Sequence, residues 1–174
     1  MSKINEKLEE LTSSILLSSD MYKIPVDIIE IANLNDIKVF GGELDKKISG
    51  AIRYNKKEER FEILVNKNDV RVRQRFTIAH ELGHYFLHRE YLKNEELHID
   101  SVLYRADEEK DEEARKREIE VNYFAGALLM NKTLVEKLRK ENTITELAEI
   151  FDVSVSAMTV RLDILGLLWK KIIV

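Results

Sequence analysis

Two hydrophobic rhythms alternate along the chain. From the start, Ile4, Leu8, Leu11, Ile15 and Leu16 recur at steps of three and four, with Leu17 widening the stripe, and this predicts a packed N-terminal helix. Pro25, Asp27 and the apolar Val26, Ile28, Ile29 and Ile31 fit the first turn of a second helix, closed by Asn33, Leu34, Asn35 and Asp36. At Ile37 the step shortens. Three apolar runs at 37–40, 49–54 and 60–65, separated by Gly41-Gly42 and a charged turn at 55–59, predict a small antiparallel sheet. A sheet edge is also a general place to bind an extended peptide. Asn66, Lys67, Asn68 and Asp69 offer caps, and a helical rhythm resumes near Val70 and runs to Arg89, interrupted only by Gly83. That glycine costs about 1 kcal/mol relative to alanine in a helix interior.

Within this second helical stretch, polar groups fall where a core helix would normally exclude them. His80 and His84 are four residues apart, so they share one face one turn apart, within reach of a single metal ion. Glu81 lies about 100° further round the helix. This offset suits a general base that holds a water at the ion, as in H-E-x-x-H metalloproteases. His88 follows on the same face, but eight residues of helix rise about 12 Å, so one ion cannot touch all three rings. His88 is therefore read as a supporting or packing residue. A third histidine ten residues after the first is absent, because that position is Glu90.

The third ligand is expected from another segment. After a connector dense in both charges, where Asp111, Glu112 and Glu113 precede Arg115, Lys116 and Arg117 by four residues each, a helix turns apolar at Ile119, Val121, Phe124 and Ala125. Glu118 and Glu120 flank this change. Glu118 projects with Val121, Asn122, Ala125 and Leu129, and Glu120 with Tyr123, Phe124, Ala127 and Asn131, which makes Glu118 the better ligand. Asn122, four residues on, can hold a ligating imidazole from behind.

Composition narrows the chemistry. A chain of 174 residues with 44% hydrophobic content can bury a core, and its net charge of −4 gives no footprint for nucleic acid. The basic cluster Arg71, Arg73 and Arg75 is read as a solvated or salt-bridged face. No apolar run approaches a membrane span, and the first residues lack the apolar region of a signal peptide, so a cytoplasmic location is expected. With no cysteine, a zinc site here must use histidine and carboxylate.

The motif from Arg75 through His80-Glu81-Leu82-Gly83-His84 to His88, followed by Glu118, Glu120, Val121, Asn122, Phe124, Ala125, Gly126, Leu128, Leu129 and Met130, resembles the ImmA/IrrE family of metallo-endopeptidases. The resemblance covers 25–130 in element order. It departs from the family at Val121, where alanine is usual, and at Asn131, where a proline usually follows. It implies an α+β, zincin-like fold with a small antiparallel sheet packed on the helices that carry H-E-x-x-H. It further implies Zn2+ held by His80, His84 and Glu118, with Glu81 as the catalytic acid and base. The implied substrate is a helix-turn-helix repressor of a mobile element, prophage or stress regulon, cleaved to relieve repression. The first 36 residues are too short and too weakly basic for the DNA-binding domain of longer family members.

The last segment resembles a helix-turn-helix. Leu147, Ala148 and Phe151 mark a first helix, Asp152, Val153 and Ser154 a turn and cap, and Ala157, Val160 and Leu162 a second helix. From Thr143 onward, Arg161, Lys170 and Lys171 stand against Glu146, Glu149, Asp152 and Asp163, a net charge of −1 that argues against phosphate contacts. The expected organisation is a metallopeptidase domain over 1–138 and a helix-turn-helix-like lobe over 139–174 that packs on the catalytic domain or grips the repressor. Candidate donors to a transition-state oxyanion are Tyr54, Tyr85, Tyr91, Tyr104, Tyr123 and His98. Two competing functions are a metal-containing sensor or antirepressor that binds without cutting, and a DNA-binding regulator acting through the C-terminal lobe.

Overall fold

The computed structural model describes residues 2–20, 22–94, 98–101 and 112–168, with the backbone alone for 94 and 98–101. The element order is α1 (Lys3–Ser18), α2 (Ile28–Leu34), β1 (Lys38–Gly42), β2 (Ile48–Asn55), β3 (Arg60–Asn66), α3 (Arg71–Asn94), β4 (His98–Ser101), α4 (Glu112–Leu129), α5 (Lys132–Leu138), α6 (Ile144–Phe151) and α7 (Val155–Ile164). Two compact units emerge, one of Asp27–Ala125 and the other of Met1–Val26 with Gly126–Val174. The expected division between 138 and 139 falls inside the latter, because residues 126–138 group with the C-terminal helices and with α1.

In the unit of Asp27–Ala125, α2 begins at Asp27, whose carboxylate accepts the Glu30 N–H at 3.1 Å. Pro25 stands before this helix rather than in its first turn. The helix buries Ile28, Ile31 and Ala32. It ends in a turn where Asp36 takes a left-handed conformation, φ 54°, which a short polar side chain tolerates. The sheet that follows has the order β1-β3-β2-β4. β2 pairs antiparallel with β3 and β4, but β1 runs parallel to β3, with Val39 opposite Ile63, so the sheet is mixed rather than wholly antiparallel. Gly41 and Gly42 belong to β1 and pair with Val65 and Asn66, where a separating turn was expected.

β2 and β3 bury consecutive residues, Ser49 to Ile52 and Phe61 to Ile63, which is the pattern of strands covered on both faces. Asn66, expected as a helix cap, instead braces the β1–β2 connection. Its Nδ2 donates to the carbonyls of Asp45 and Ile48 at 3.2 and 3.0 Å, and its Oδ1 accepts the Asn68 N–H. The helix that follows is ion-paired at its entry, with Arg73 Nε 3.2 Å from the Asp69 carboxylate. β4 occupies part of what the sequence presents as a charged connector. The expected pair of Asp111 with Arg115 lies outside the described residues. The Arg117 guanidinium stacks over the Tyr91 ring at 4.4 Å.

The other unit is helical. α1 buries Leu8, Ile15 and Leu16 but leaves Leu17 exposed, so the apolar stripe is narrower than its sequence suggests. Asn131 restarts the chain after α4. Its Oδ1 accepts the Thr133 and Leu134 N–H groups and the Tyr22 hydroxyl, and its Nδ2 donates to Ser13 Oγ. It thereby caps α5. α6 opens on a capping box in which Thr143 and Glu146 bond reciprocally. Asp152 at φ 53° ends α6, and the Ser154 side chain caps α7. These helices and their three-residue turn are the elements expected for the helix-turn-helix-like segment.

Candidate metal centre

Helix α3 carries His80, Glu81 and His84 into the interior, where all three are buried. Two glycines let it sit there. On the sheet side, a Cβ on Gly50 of β2 would stand 2.5 Å from Thr77 Cγ2 and 2.8 Å from the Leu64 carbonyl, so only glycine permits this approach of strand to helix. The pairing of β2 with β4 slips between Ile48 and Gly50, and two successive β2 residues meet α3: Ser49 Oγ accepts Arg73 Nη2 at 2.7 Å, and Gly50 faces Thr77. On the other side, a Cβ on Gly83 would stand 3.1 Å from Val121 Cβ and 3.2 Å from Phe124 Cδ1. Gly83 therefore sets how closely α4 approaches.

That approach delivers Glu118. Its Oε2 lies 3.6 Å from His80 Nε2 and its Oε1 lies 3.6 Å from His84 Nε2, while the two Nε2 atoms are 3.2 Å apart. Glu120 points elsewhere, with its Oε2 3.8 Å from His88 Nε2. His80 Nδ1–H donates to Asn122 Oδ1 at 3.2 Å, which leaves Nε2 as the lone-pair nitrogen turned towards His84 and Glu118. Glu81 is fully buried on the same helix, and its Oε1 lies 3.8 Å from where a Gly50 Cβ would stand.

The donor set fits a metal ion. Ligand atoms held at about 2.0–2.1 Å from a tetrahedral ion stand about 3.3–3.4 Å from one another, and the observed separations of 3.2, 3.6 and 3.6 Å bracket that value. Among the described residues, His80, His84 and Glu118 form the group of three whose ligand atoms lie within 4.8 Å of one another. Two imidazoles and one carboxylate, without thiolates, are donors typical of catalytic zinc.

His88 sits where α3 loses helical geometry, at φ −131° and ψ 26°. Its ring centroid is 5.9 Å from that of His84. Burial holds its imidazole below the usual histidine range, against the pull of the Glu120 carboxylate. An open groove beside it is lined by Phe86, Tyr91, Lys116 and Arg117.

Of the candidate oxyanion donors, Tyr85 is buried against Phe61 and Phe86, Tyr54 packs on Phe61, and Tyr91 lies under Arg117. Tyr123 is half-buried on α4. Tyr104 and the His98 side chain lie outside the described residues.

The family of peptidases described as the IrrE N-terminal-like domain matches residues 33–163. The chain belongs to this family. As an IrrE N-terminal-like domain it is 28% identical over 111 residues to the metallopeptidase ImmA of Bacillus subtilis (strain 168), covering 64% of this chain and 58% of that protein. Its fold is similar to that of a Mycobacterium tuberculosis transcriptional regulator, with a TM-score of 0.61 at 22% identity, covering 91% of this chain and 46% of that one. The chain thus spans about half the length of the relatives it matches. No helix of the described residues is long and apolar enough to cross a membrane.

In the helix-turn-helix-like segment, Arg161 is the one basic residue between 143 and 168. It is buried, with its guanidinium bidentate on Glu9 at 2.6 and 2.8 Å and its Nε donating to the Met130 carbonyl at 2.9 Å. The exposed apolar residues of α7 are Val155, Val160 and Ile164.

Proposed function

We propose that this chain is a zinc-dependent endopeptidase that cleaves a helix-turn-helix repressor. The observation that carries the reading is the convergence of His80, His84 and Glu118 beside a buried glutamate one residue along from the first histidine, in a member of this peptidase family. His80, His84 and Glu118 would hold the ion, with Asn122 fixing the tautomer of His80. When bound, zinc supplies a Lewis acid and brings the pKa of water down towards about 7. Glu81 then serves as the proton carrier: a carboxylate oxygen accepts the proton of the attacking water and delivers it to the nitrogen of the departing amine. Gly50 leaves room for that carboxylate between strand and helix. His88 packs beside the His84 ring, with its Nε2 3.8 Å from Glu120 of α4, and supports the site from behind.

The repressor as substrate rests on the resemblance of the His80-Glu81-Leu82-Gly83-His84 and Glu118 motifs to the ImmA/IrrE family. A protein partner for the C-terminal helices is supported by the exposed Val160 and Ile164 on α7 and by the burial of Arg161 against Glu9, which keeps that cation from a phosphate backbone. The test is cleavage of the helix-turn-helix repressor encoded beside the gene, by wild type and by Glu81→Gln, with zinc content measured on both. Both proteins are expected to bind one zinc, and the variant to lose at least about a hundredfold in rate. Zinc bound by a wild type that leaves the repressor intact points to the non-cleaving sensor, and absence of stoichiometric metal removes the proposal.

A further inference from the structure

The sheet edge beside Glu81 is taken by the chain itself. Gly50 of β2 brings the strand to the Glu81 carboxylate, 3.8 Å from the site of its missing Cβ. Gly50 pairs with Val65 of β3 on one side and with Asp100 of β4 on the other. β4 runs antiparallel along that second side, with Ile99 opposite Ala51 and His98 opposite Ile52. The opposite edge of the sheet, β1, is two strands from β2, about 10 Å away at the usual strand spacing. An extended peptide that adds to the sheet within reach of Glu81 therefore needs the outer edge of β2.

We propose that β4 is an internal occupant of the peptide-binding edge. An extended substrate pairs antiparallel with β2 in place of β4, and cleavage requires β4 to leave. The inference rests on the endopeptidase reading above. Three features suit β4 to exchange. It is four residues long; its pairing with β2 slips between Ile48 and Gly50; and among the described residues it is held in the sheet by one neighbour, whereas β3 is held by two. Short, irregularly paired edge strands belong to the least stable parts of a fold. Occupation by its own segment also keeps the edge from pairing with other chains until a substrate competes for it.

Two measurements on the full zinc-loaded chain test the exchange. By hydrogen exchange, the amides of 98–101 are expected to open at least about a hundredfold faster than those of β3, independently of the sheet. Protection of 98–101 equal to that of β3 overturns the proposal. The chain has no cysteine, so Ala51→Cys with Ile99→Cys places a single disulfide between directly opposed residues, whose spacing of about 4.5–5.5 Å suits the bond. The oxidised variant is expected to cleave the repressor at least about tenfold more slowly than the same protein after reduction. Equal rates in the two states overturn strand exchange while leaving the peptidase reading intact. Loss of cleavage in both states and in zinc-loaded wild type counts against the peptidase reading instead.

Discussion

Two polar clusters, one in each compact unit, are satisfied in opposite ways. Glu9 and Arg161 are closed on each other: two short bonds join carboxylate and guanidinium, and the remaining Arg161 Nε is used by the Met130 carbonyl. In the other unit, His80, His84 and Glu118 turn lone pairs and a carboxylate towards one point. The first arrangement has its cation built in. The second is assembled as a set of acceptors, and the chain supplies what a cation would meet. Desolvating a charge costs several kcal/mol unless a partner compensates. The difference is between a cluster closed on itself and one whose donors could hold an ion.

The comparison breaks most visibly at the ligands. Glu118→Ala and His84→Ala are expected to lose stoichiometric zinc, whereas Asn122→Ala, which removes only the acceptor behind His80, should weaken zinc about 10- to 100-fold. Competition with a chelating dye measures both, and equal affinity of Asn122→Ala and wild type would remove Asn122 from the site. In the closed cluster the effect should fall on stability alone. Arg161→Met takes the guanidinium away from the buried Glu9 carboxylate, at a cost of about 3–5 kcal/mol, and adding Glu9→Leu should recover most of that loss. Urea unfolding of the two single variants and the double variant checks this cycle. A double variant as unstable as the singles would show that packing, and not charge, holds α7 to α1.

The contrast also marks what a reader of the sequence can see. The four-residue step of His80 and His84 and the choice of Glu118 over Glu120 follow from the 100° turn of a helix, which is local geometry. The caps of α6 and α7 at Thr143 and Ser154 are equally local. The parallel pairing of β1 with β3 is not, because strand direction depends on where a neighbour arrives from elsewhere in the chain. β4 hides in a charged stretch without apolar alternation. Arg161 reads as a surface cation until Glu9, 152 residues earlier, is placed beside it. Gly83 reads as a mere cost to α3, and only the approach of Val121 and Phe124 gives it a purpose. In each case the missing information is a contact between distant segments.

Gly83 offers an intermediate perturbation. Gly83→Ala gains helix propensity, about 1 kcal/mol, but its methyl would stand 3.1 to 3.3 Å from Val121 and Phe124. Overpacking of this kind typically costs about 1–3 kcal/mol, so the net change in stability should be small. The larger consequence is expected at Glu118, which α4 carries, as weakened zinc binding. A variant with full zinc affinity would show that α4 can shift without moving its ligand.

The smallest effect belongs to a third carboxylate, Glu62 of β3. Glu62 accepts Asn55 Nδ2 at 2.8 Å and Arg53 Nε and Nη2 at 2.8 and 2.6 Å, with Arg53 itself half exposed to solvent. The Asn55 hydrogen bond, with the Arg53 guanidinium, holds the Glu62 carboxyl below the usual glutamate range despite the opposing effect of burial. A folded-state pKa below the unfolded value makes its contribution fully present above the ordinary glutamate pKa of 4.5 and lost as pH falls through the lowered value. Glu62→Gln should therefore flatten the acid limb of the stability curve: less stable than wild type at neutral pH, and converging with it as the medium becomes more acidic. Urea unfolding from pH 7 down to pH 3 follows this directly. A constant offset between the two proteins across that range would mean that the link between β2 and β3 at Glu62 is one of shape and hydrogen bonding, indifferent to its charge.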